Sequence, residues 1–203
     1  MVVTGVYAQG YTLSDVNCVD PEVGPCTGTD FGHLYIFTFG QAFADGVRLQ
    51  VGHVVSDVAG GLTEFNGLTE VSFPVTHLVD STPNPAFLPP PVLVRKEWLR
   101  DPALPGGMIN LEKNESGLVA VENGLVCNLG PDYDQYGQWK LDIGNGCGSG
   151  GINVVSAGAV TDFNPETVVG DRLTRVVGTV RAVNIGSFSV WIVQPRTRAD
   201  ITL

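Results

Sequence analysis

Four cysteines are the residues of this chain whose spacing bears most directly on chemistry. They form two close pairs, Cys18 with Cys26 and Cys127 with Cys147. A structural zinc site built from four thiolates uses short CxxC-type spacings, which neither pair has. The spacing therefore favours two disulfides over a metal site. Because structural disulfides persist in oxidising compartments, we expect an extracytoplasmic protein, secreted or on the cell surface.

The residue types used in catalysis do not occur in a catalytic arrangement. His33, His53 and His77 stand alone on strand-like segments, outside any HExxH or HxH spacing. No GxSxG motif is present, and no serine near a glycine has an evident base. We therefore expect the histidines to be structural, the chain to be no enzyme, and no cofactor to be required.

One aspartate-rich stretch has part of a calcium-loop pattern. The sequence PDYDQYG, residues 131–137, places two aspartates ahead of a glycine at the sixth position. The twelfth position is Ile143, where a calcium loop needs a bidentate glutamate. A polar turn is the simpler interpretation, and a calcium ion is the alternative.

Several aromatic and basic residues are candidates for ligand binding. Single-strand-binding barrels stack bases on aromatic rings within a basic groove. Aromatic residues at alternate positions also fill the interior of a barrel, so the core is the competing interpretation. The candidate ligand-binding residues are Tyr35, Phe37, Tyr136, Trp139, Arg172 and Arg175.

The charge is strongly acidic and unevenly distributed. The net charge is −10. Arg48 is the only basic residue before position 93, against nine acidic residues. Phosphate binding depends on lysine and arginine, so nucleic acid is an improbable partner for the first half. An acidic first half and a less acidic second half favour a protein partner, or head-to-tail contact between copies that would build an oligomer or filament.

A long internal repeat predicts two domains. VGHVVSDVAGGLTEFNG, residues 51–67, returns as VGDRLTRVVGTVRAVNIG, residues 169–186, which places Gly60 on Gly178 and Leu62 on Val180. Upstream, residues 4–7 fall on residues 123–126. We predict domains at 1–80 and 116–203, separated by a linker at 81–115.

Local patterns predict strands throughout both repeats. Alternating segments separated by Gly, Asn, Asp and Pro are typical of a strand-rich domain. Asn66-Gly67 predicts a two-residue hairpin turn, and residues 184–186 predict its counterpart. The proline-rich linker is expected to hold one short helix over 94–101, with Trp98 and Leu99 covering a barrel end. No uninterrupted apolar stretch is long enough to span a bilayer as a helix.

The repeat resembles the OB-fold domains of secreted bacterial proteins, which often lie beside endonuclease/exonuclease/phosphatase or lamin-tail modules. The resemblance is carried in the first copy by Gly52, Val54, Gly60, Leu62, Glu64, Phe65, Asn66, Gly67, Leu68 and Thr69. In the second copy it is carried by Gly170, Asp171, Leu173, Val176, Gly178 and Val180. It implies an all-β chain with two five-stranded Greek-key barrels in tandem.

A fold of this kind hosts many functions, so the functional expectation stays broad. We expect a secreted, non-enzymatic tandem OB-fold module for binding or assembly. The alternative is an accessory part of a larger secreted nuclease that positions nucleic acid or carbohydrate.

Overall fold

The computed structural model describes residues 1–18, 25–99 and 108–203. Strands dominate these residues, so the all-β prediction is confirmed. The strands are β1 (Val2–Tyr7), β2 (Gly10–Asn17), β3 (Thr27–Phe37), β4 (Phe43–Ala44), β5 (Val47–Arg48), β6 (Val55–Phe65), β7 (Leu68–Leu78), β8 (Val92–Leu93), β9 (Leu118–Val126), β10 (Gln138–Asp142), β11 (Ile152–Val155), β12 (Arg172–Ile185), β13 (Phe188–Gln194) and β14 (Ile201–Thr202). The helices are α1 (Ile109–Lys113) and α2 (Pro131–Tyr136), with 3₁₀ turns at Pro85–Phe87, Lys96–Leu99, Pro165–Val168 and Arg198–Asp200.

The first half forms a five-stranded sheet in the order β1-β2-β3-β7-β6. Neighbouring strands are antiparallel except β3 and β7, which are parallel. A bridge between Val2 and Val54 brings β1 beside the start of β6, so the order of pairing is cyclic. Among the described strands, the short β4 and β5 pair only with each other.

The second half repeats the same cyclic order with its own strands. The sheet runs β9-β10-β11-β13-β12, and β12 pairs back onto β9. Here too the parallel pair is formed by the third and fourth strands of the cycle, β11 and β13. Two further strands join this sheet: β14 on β12, and β8 on β9. The segment predicted to be a linker thus contributes β8 to the second sheet.

Hydrogen bonds fix which residues of the two halves are equivalent. Val3 donates to the His53 carbonyl and accepts from Gly52 N–H, and Val126 makes the same two bonds with Asp171 and Gly170. Val3 is therefore equivalent to Val126, and the predicted alignment of residues 4–7 with 123–126 is wrong by four positions. Strand side chains alternate with a period of two, so a shift of four preserves the apolar pattern.

Further along the repeat, the register agrees with the predicted alignment. Leu62 pairs with Val71, and Val180 pairs with Val193. Val71 and Val193 in turn lie beside equivalent strands, β3 and β11. Leu62 and Val180 are therefore equivalent, as the sequence places them.

Each half has its own apolar core. Val3, Tyr11, Leu13, Ile36 and Val71 belong to the first. The second contains Trp139, Leu141, Val154, Val176 and Val193. Two separate cores are typical of two folding units.

The chain between the halves packs mainly on the second core. Leu99 is buried there and Trp98 is partly buried against it. The predicted helix over 94–101 is a 3₁₀ turn at Lys96–Leu99, and Arg100 and Asp101 lie outside the described residues.

The first predicted hairpin turn is present and the second lies further along the chain. Asn66 and Gly67 have φ of 53° and 81°, as this turn requires. In the second copy, Ile185 still pairs with Phe188, so the turn is at Gly186 and Ser187. The extra pairing makes the second hairpin longer than the first.

Both cysteine pairs are disulfide-bonded. Cys18 and Cys26 close the connection between β2 and β3, whose residues 19–24 lie outside the described part. Cys127 follows β9, whereas Cys147 lies between β10 and β11. The two disulfides therefore do not occupy equivalent places in the repeat: Cys18 follows the second strand of its half, whereas Cys127 follows the first strand of the other. Among the described residues, no helix is long and apolar enough to cross a membrane.

Candidate functional site

Tyr7 and Arg196 join the two halves. The Tyr7 hydroxyl lies 2.6 Å from Thr179 Oγ1 and donates to the Gln194 carbonyl at 3.2 Å. Arg196 Nη1 donates to the Thr4 carbonyl at 2.9 Å. Asp200 holds the guanidinium from the other side, with Oδ1 at 2.7 Å from Nη2. These contacts fix the end of β1 against β12 and the chain after β13.

The two hairpins form a second junction. Asn184 N–H donates to the Asn66 carbonyl at 2.6 Å. A Cβ on Gly67 would lie 2.0 Å from Asn184 Nδ2, so only glycine fits without movement of that amide. Nearby, Thr69 N–H donates to Glu115 Oε2 at 3.2 Å. The hairpin of the first half therefore contacts both the second hairpin and the chain that enters β9.

A groove of about 550 Å³ lies between these junctions and takes its walls from both halves. We call it the inter-half groove. The first half contributes the β1–β2 turn, β3 and the β6–β7 hairpin, and the second half contributes mainly β12. Its lining residues are Tyr7, Ala8, Gln9, Tyr35, Phe37, Phe65, Asn66, Leu68, Glu70, Arg181, Ala182, Val183, Ile185 and Gln194.

A second cavity of about 590 Å³ adjoins the groove, since Arg181, Val183 and Ile185 line both. Its remaining wall comes from α2, β10, β11 and β13 of the second half. The lining residues not shared with the groove are Asp132, Gln135, Tyr136, Gln138, Val155 and Ile192. Together the two cavities give one extended surface that crosses from the first half to the second.

Two unlike charges face this surface. Arg181 Nε is buried and has no hydrogen-bond partner among the described residues. Glu70 is 7% exposed, and burial raises the pKa of its carboxyl group. Neither side chain has an ion-pair partner in the described part of the chain. A guanidinium and a carboxyl group are thus both available to a ligand.

The tyrosines of the groove stay neutral at physiological pH. Burial raises the pKa of Tyr7 to about 12, against smaller lowering effects from the Thr179 hydrogen bond and the Arg196 charge. Burial also raises the pKa of Tyr35, and the nearby Arg181 partly opposes it. The two hydroxyl groups can therefore donate and accept hydrogen bonds.

The groove is chemically suited to a polar, uncharged ligand. Aromatic rings offer flat apolar contact, and the amides of Gln9, Asn66 and Gln194 offer donors and acceptors. One guanidinium does not make the basic track that a phosphate backbone needs. The hydroxyl groups of a neutral ligand, in contrast, can form hydrogen bonds with the amides, the carboxyl group and the guanidinium of the groove.

Comparisons with protein-family models, with curated proteins and with solved structures give no match for this chain.

The structure brings together half of the residues predicted to bind a ligand. Tyr35 and Phe37 line the inter-half groove, and Tyr136 lines the adjoining cavity. Trp139 is 2% exposed, donates to Ser156 Oγ at 3.1 Å and belongs to the second core.

The two predicted arginines lie outside both cavities. Arg172 donates to the Asn123 carbonyl, and Arg175 Nε lies 3.6 Å from Glu122 Oε1. Arg181 lines both cavities and is not among the six predicted ligand-binding residues, although it interrupts the mainly apolar stretch Gly178–Val183 of β12.

The aspartate-rich stretch forms a helix. Residues 131–136 are α2, and Gly137, with φ of 67°, ends it as a left-handed cap. The glycine that suggested a calcium loop thus serves as a helix cap. In the described parts of the chain, no group of three or more His, Cys, Asp or Glu residues is arranged to hold a metal ion.

The histidines have structural contacts. His53 is buried, accepts from Gln50 N–H through Nδ1 and lies 3.0 Å from the Ser81 carbonyl through Nε2. His33 Nδ1 lies 2.8 Å from Ser14 Oγ, and burial lowers its pKa. His77 is exposed and pairs with Asp45, whose carboxylate raises the pKa of the imidazole.

Proposed function

We propose that this chain is a secreted, non-enzymatic binding module of two OB-fold barrels in tandem. It binds a neutral oligosaccharide in the inter-half groove. The matching strand order of the two halves supports the barrels, because a five-stranded cycle with one parallel pair suits a Greek-key barrel. Two disulfides support an extracytoplasmic location.

The observation that carries the proposed binding activity is the composition of the groove. Tyr35 and Phe37 provide ring surface. Glu70 provides an acceptor and Arg181 a donor, and neither has a partner in the described part of the chain. Binding sites commonly combine apolar walls with a few convergent polar groups that fix orientation. Sugar rings present both apolar faces and hydroxyl groups, which matches this combination.

Affinity electrophoresis tests the proposal. The protein is run through native gels that contain cellulose derivatives, starch, xylan or mannan, and through gels without polysaccharide. We expect retardation by at least one of these neutral polymers. Arg181→Ala should abolish most of the retardation, because loss of a buried charged hydrogen bond costs about 1.5–3 kcal/mol, or about tenfold to a hundredfold in affinity.

Arg172→Ala is the matched control, because it removes the same charge from the same strand outside the groove. It should migrate as wild type does in every gel. A wild-type protein that no neutral polymer retards, or equal loss in both variants, would refute the proposal.

The accessory role in a larger nuclease predicts a different outcome in the same assay. Single-stranded oligonucleotide would retard the protein at low salt, and salt would reverse the effect steeply. The acidic first half disfavours that outcome. Head-to-tail self-association, expected from the uneven charge, stays a prediction.

A further inference from the structure

Three phenylalanine rings lead from the inter-half groove onto the outer surface of the first half. Phe37 lines the groove, and its ring centroid lies 4.4 Å from that of Phe39. The ring of Phe73 follows, 5.0 Å from that of Phe39. Phe39 is 57% exposed and Phe73 is 76% exposed. We call Phe37, Phe39 and Phe73 the aromatic track, and it carries apolar ring surface beyond the walls of the groove.

The backbone around the two outer rings fixes their position. Phe39 and Phe73 have φ of 59° and 52°, in the left-handed region that bulky residues rarely adopt. Such a conformation persists only where the surrounding structure imposes it. Phe73 also lies in a bulge, since the pairing of β7 with β6 shifts between Ser72 and Val75, and a bulge commonly re-aims a side chain. Both rings are therefore held beside Phe37 by the chain that carries them.

The second half keeps the same strand order without these rings. Parallel pairing places Val71 beside Ile36 in the first half and Val193 beside Val154 in the second. Counted from these pairs, the positions of the aromatic track correspond to Val155, Ala157 and Pro195. The fold forms there with aliphatic and small residues. The aromatic track is therefore a feature of the surface of the first half and not a requirement of the fold.

The groove is the surface that the aromatic track adjoins. Phe73 is on β7, which pairs with β3 on one side and β6 on the other, and Phe39 follows β3. β6 therefore lies between these rings and any chain that pairs with the outer edge of β6. Contiguous exposed apolar surface marks an interaction site. Because Phe37 belongs to both the track and the groove, continuity favours the ligand of the groove as the occupant of the track.

The size of the groove indicates how a ligand would use the aromatic track. At about 550 Å³, the groove has the volume of a typical site for a small ligand. A short oligosaccharide would fill it and leave Phe39 and Phe73 exposed. Only a chain that leaves the groove over Phe37 would cover them.

We infer that the aromatic track is an outer subsite for a neutral polysaccharide chain that continues out of the inter-half groove. The inference rests on the proposed sugar binding and names its substrate class, which is a long chain and not a short oligosaccharide. A phenylalanine side chain has no hydrogen-bonding group, so the outer subsite contacts the apolar faces of sugar rings. Glu70 and Arg181 determine the hydroxyl pattern that the groove accepts, and the aromatic track adds affinity for length.

Binding as a function of chain length tests the inference. The probes are neutral di-, tetra- and hexasaccharides of the cello, malto, xylo and manno series, together with the soluble polymer of each series, and affinity is measured by calorimetry. Wild-type affinity should rise from the shortest oligosaccharide that binds to the polymer. Phe73→Ala should weaken polymer binding by about two- to tenfold, as expected for the loss of one aromatic contact. It should leave the binding of the shortest oligosaccharide unchanged.

Two further variants separate the outer subsite from the groove. Arg181→Ala should lose affinity at every chain length, because its guanidinium lies in the groove itself. Phe31→Ala is the matched control for Phe73→Ala. Phe31 is also an exposed phenylalanine, at 62%, with φ of 59°, and it lies outside the lining of the groove. The control should keep wild-type affinity at every length.

The possible failures are distinguishable. If wild type binds all lengths equally, or if Phe73→Ala binds the polymer as tightly as Phe31→Ala does, the groove binds sugar but the outer subsite is overturned. An equal loss in Phe73→Ala at every length would also overturn it, since Phe73 would then act through the groove or the fold. If wild type binds none of the probes, the proposed function fails and the inference fails with it.

Discussion

At the scale of single residues, Glu115 connects the two halves and titrates near neutrality. Its Oε2 accepts from Thr69 N–H, while Oε1 is buried without a partner among the described residues. Burial raises the pKa of this carboxyl group to about 7, and the Thr69 bond only partly opposes the effect. The neutral acid is therefore the form that the folded junction favours.

This raised pKa predicts a loss of stability as pH rises. The folded pKa of Glu115 lies above the unfolded value, so its stabilising contribution is complete below about pH 4.5 and is lost as pH approaches and passes about 7. Allowing for partial solvent screening, the loss should be about 1–2 kcal/mol. Glu115→Gln should remove it, which urea unfolding at pH 5 and pH 8 will measure.

The comparison needs a control because His33 and Glu70 also have shifted pKa values. Glu97→Gln, at an exposed acid on the 3₁₀ turn Lys96–Leu99, should keep the pH dependence of wild type, because the charge of Glu97 is not among those that act on Glu115. If the free energy of unfolding falls by the same amount between pH 5 and pH 8 in wild type and in Glu115→Gln, the Glu115 carboxyl group does not cause the pH dependence.

Arg181 shows why single residues were the hardest feature to predict. The sequence shows five arginines between positions 172 and 198. The apolar residues around Arg181 set it apart, but they do not show which surface its guanidinium faces. Both of the predicted arginines have partners on β9: Arg172 donates to the Asn123 carbonyl, and Arg175 pairs with Glu122. Only the placement of both halves shows which guanidinium faces the shared groove.

At the scale of elements, the β6–β7 hairpin determines how the halves contact each other. Its turn follows directly from the Asn66-Gly67 pair, which is why sequence alone predicts it. The role of Gly67 in the contact with Asn184 was not predictable, because it depends on tertiary placement.

Gly67→Ala should destabilise the protein by two separable effects. A positive φ of 81° costs a residue with a Cβ about 1 kcal/mol, and the Cβ would also displace the Asn184 amide. We expect the free energy of unfolding, measured by chemical denaturation, to fall by about 2 kcal/mol in total.

Gly186→Ala isolates the backbone effect. Gly186 also has a positive φ, of 60°, but its Cβ would meet open space. The Gly186→Ala substitution should lower the free energy of unfolding by only about 1 kcal/mol. Equal losses in the two variants would mean that the hairpin contact adds nothing to stability.

The strand pattern was predictable and the strand register only partly so. Alternation of apolar residues identified the strands, and the repeat placed β6 on β12. It misplaced β1 relative to β9, because a period of two cannot distinguish shifts of two or four residues.

At the scale of the whole molecule, the duplication has produced two similar halves with different exposed surfaces. The first half is acidic, whereas the second is less acidic and adds β8 and β14 to its five-stranded cycle. Their junctions, at Tyr7, Arg196 and the two hairpins, create a groove that neither half has alone. A ligand of the groove should therefore contact both halves at once.

An NMR titration tests this central claim most directly. The ¹⁵N-labelled protein is titrated with neutral hexasaccharides of the cello, malto, xylo and manno series. The account predicts that one series shifts the amide signals of Gln9 and Phe37 in the first half together with those of Val183 and Ile192 in the second, along one binding curve. Shifts confined to one half, different midpoints for the two halves, or no shift with any series would contradict it.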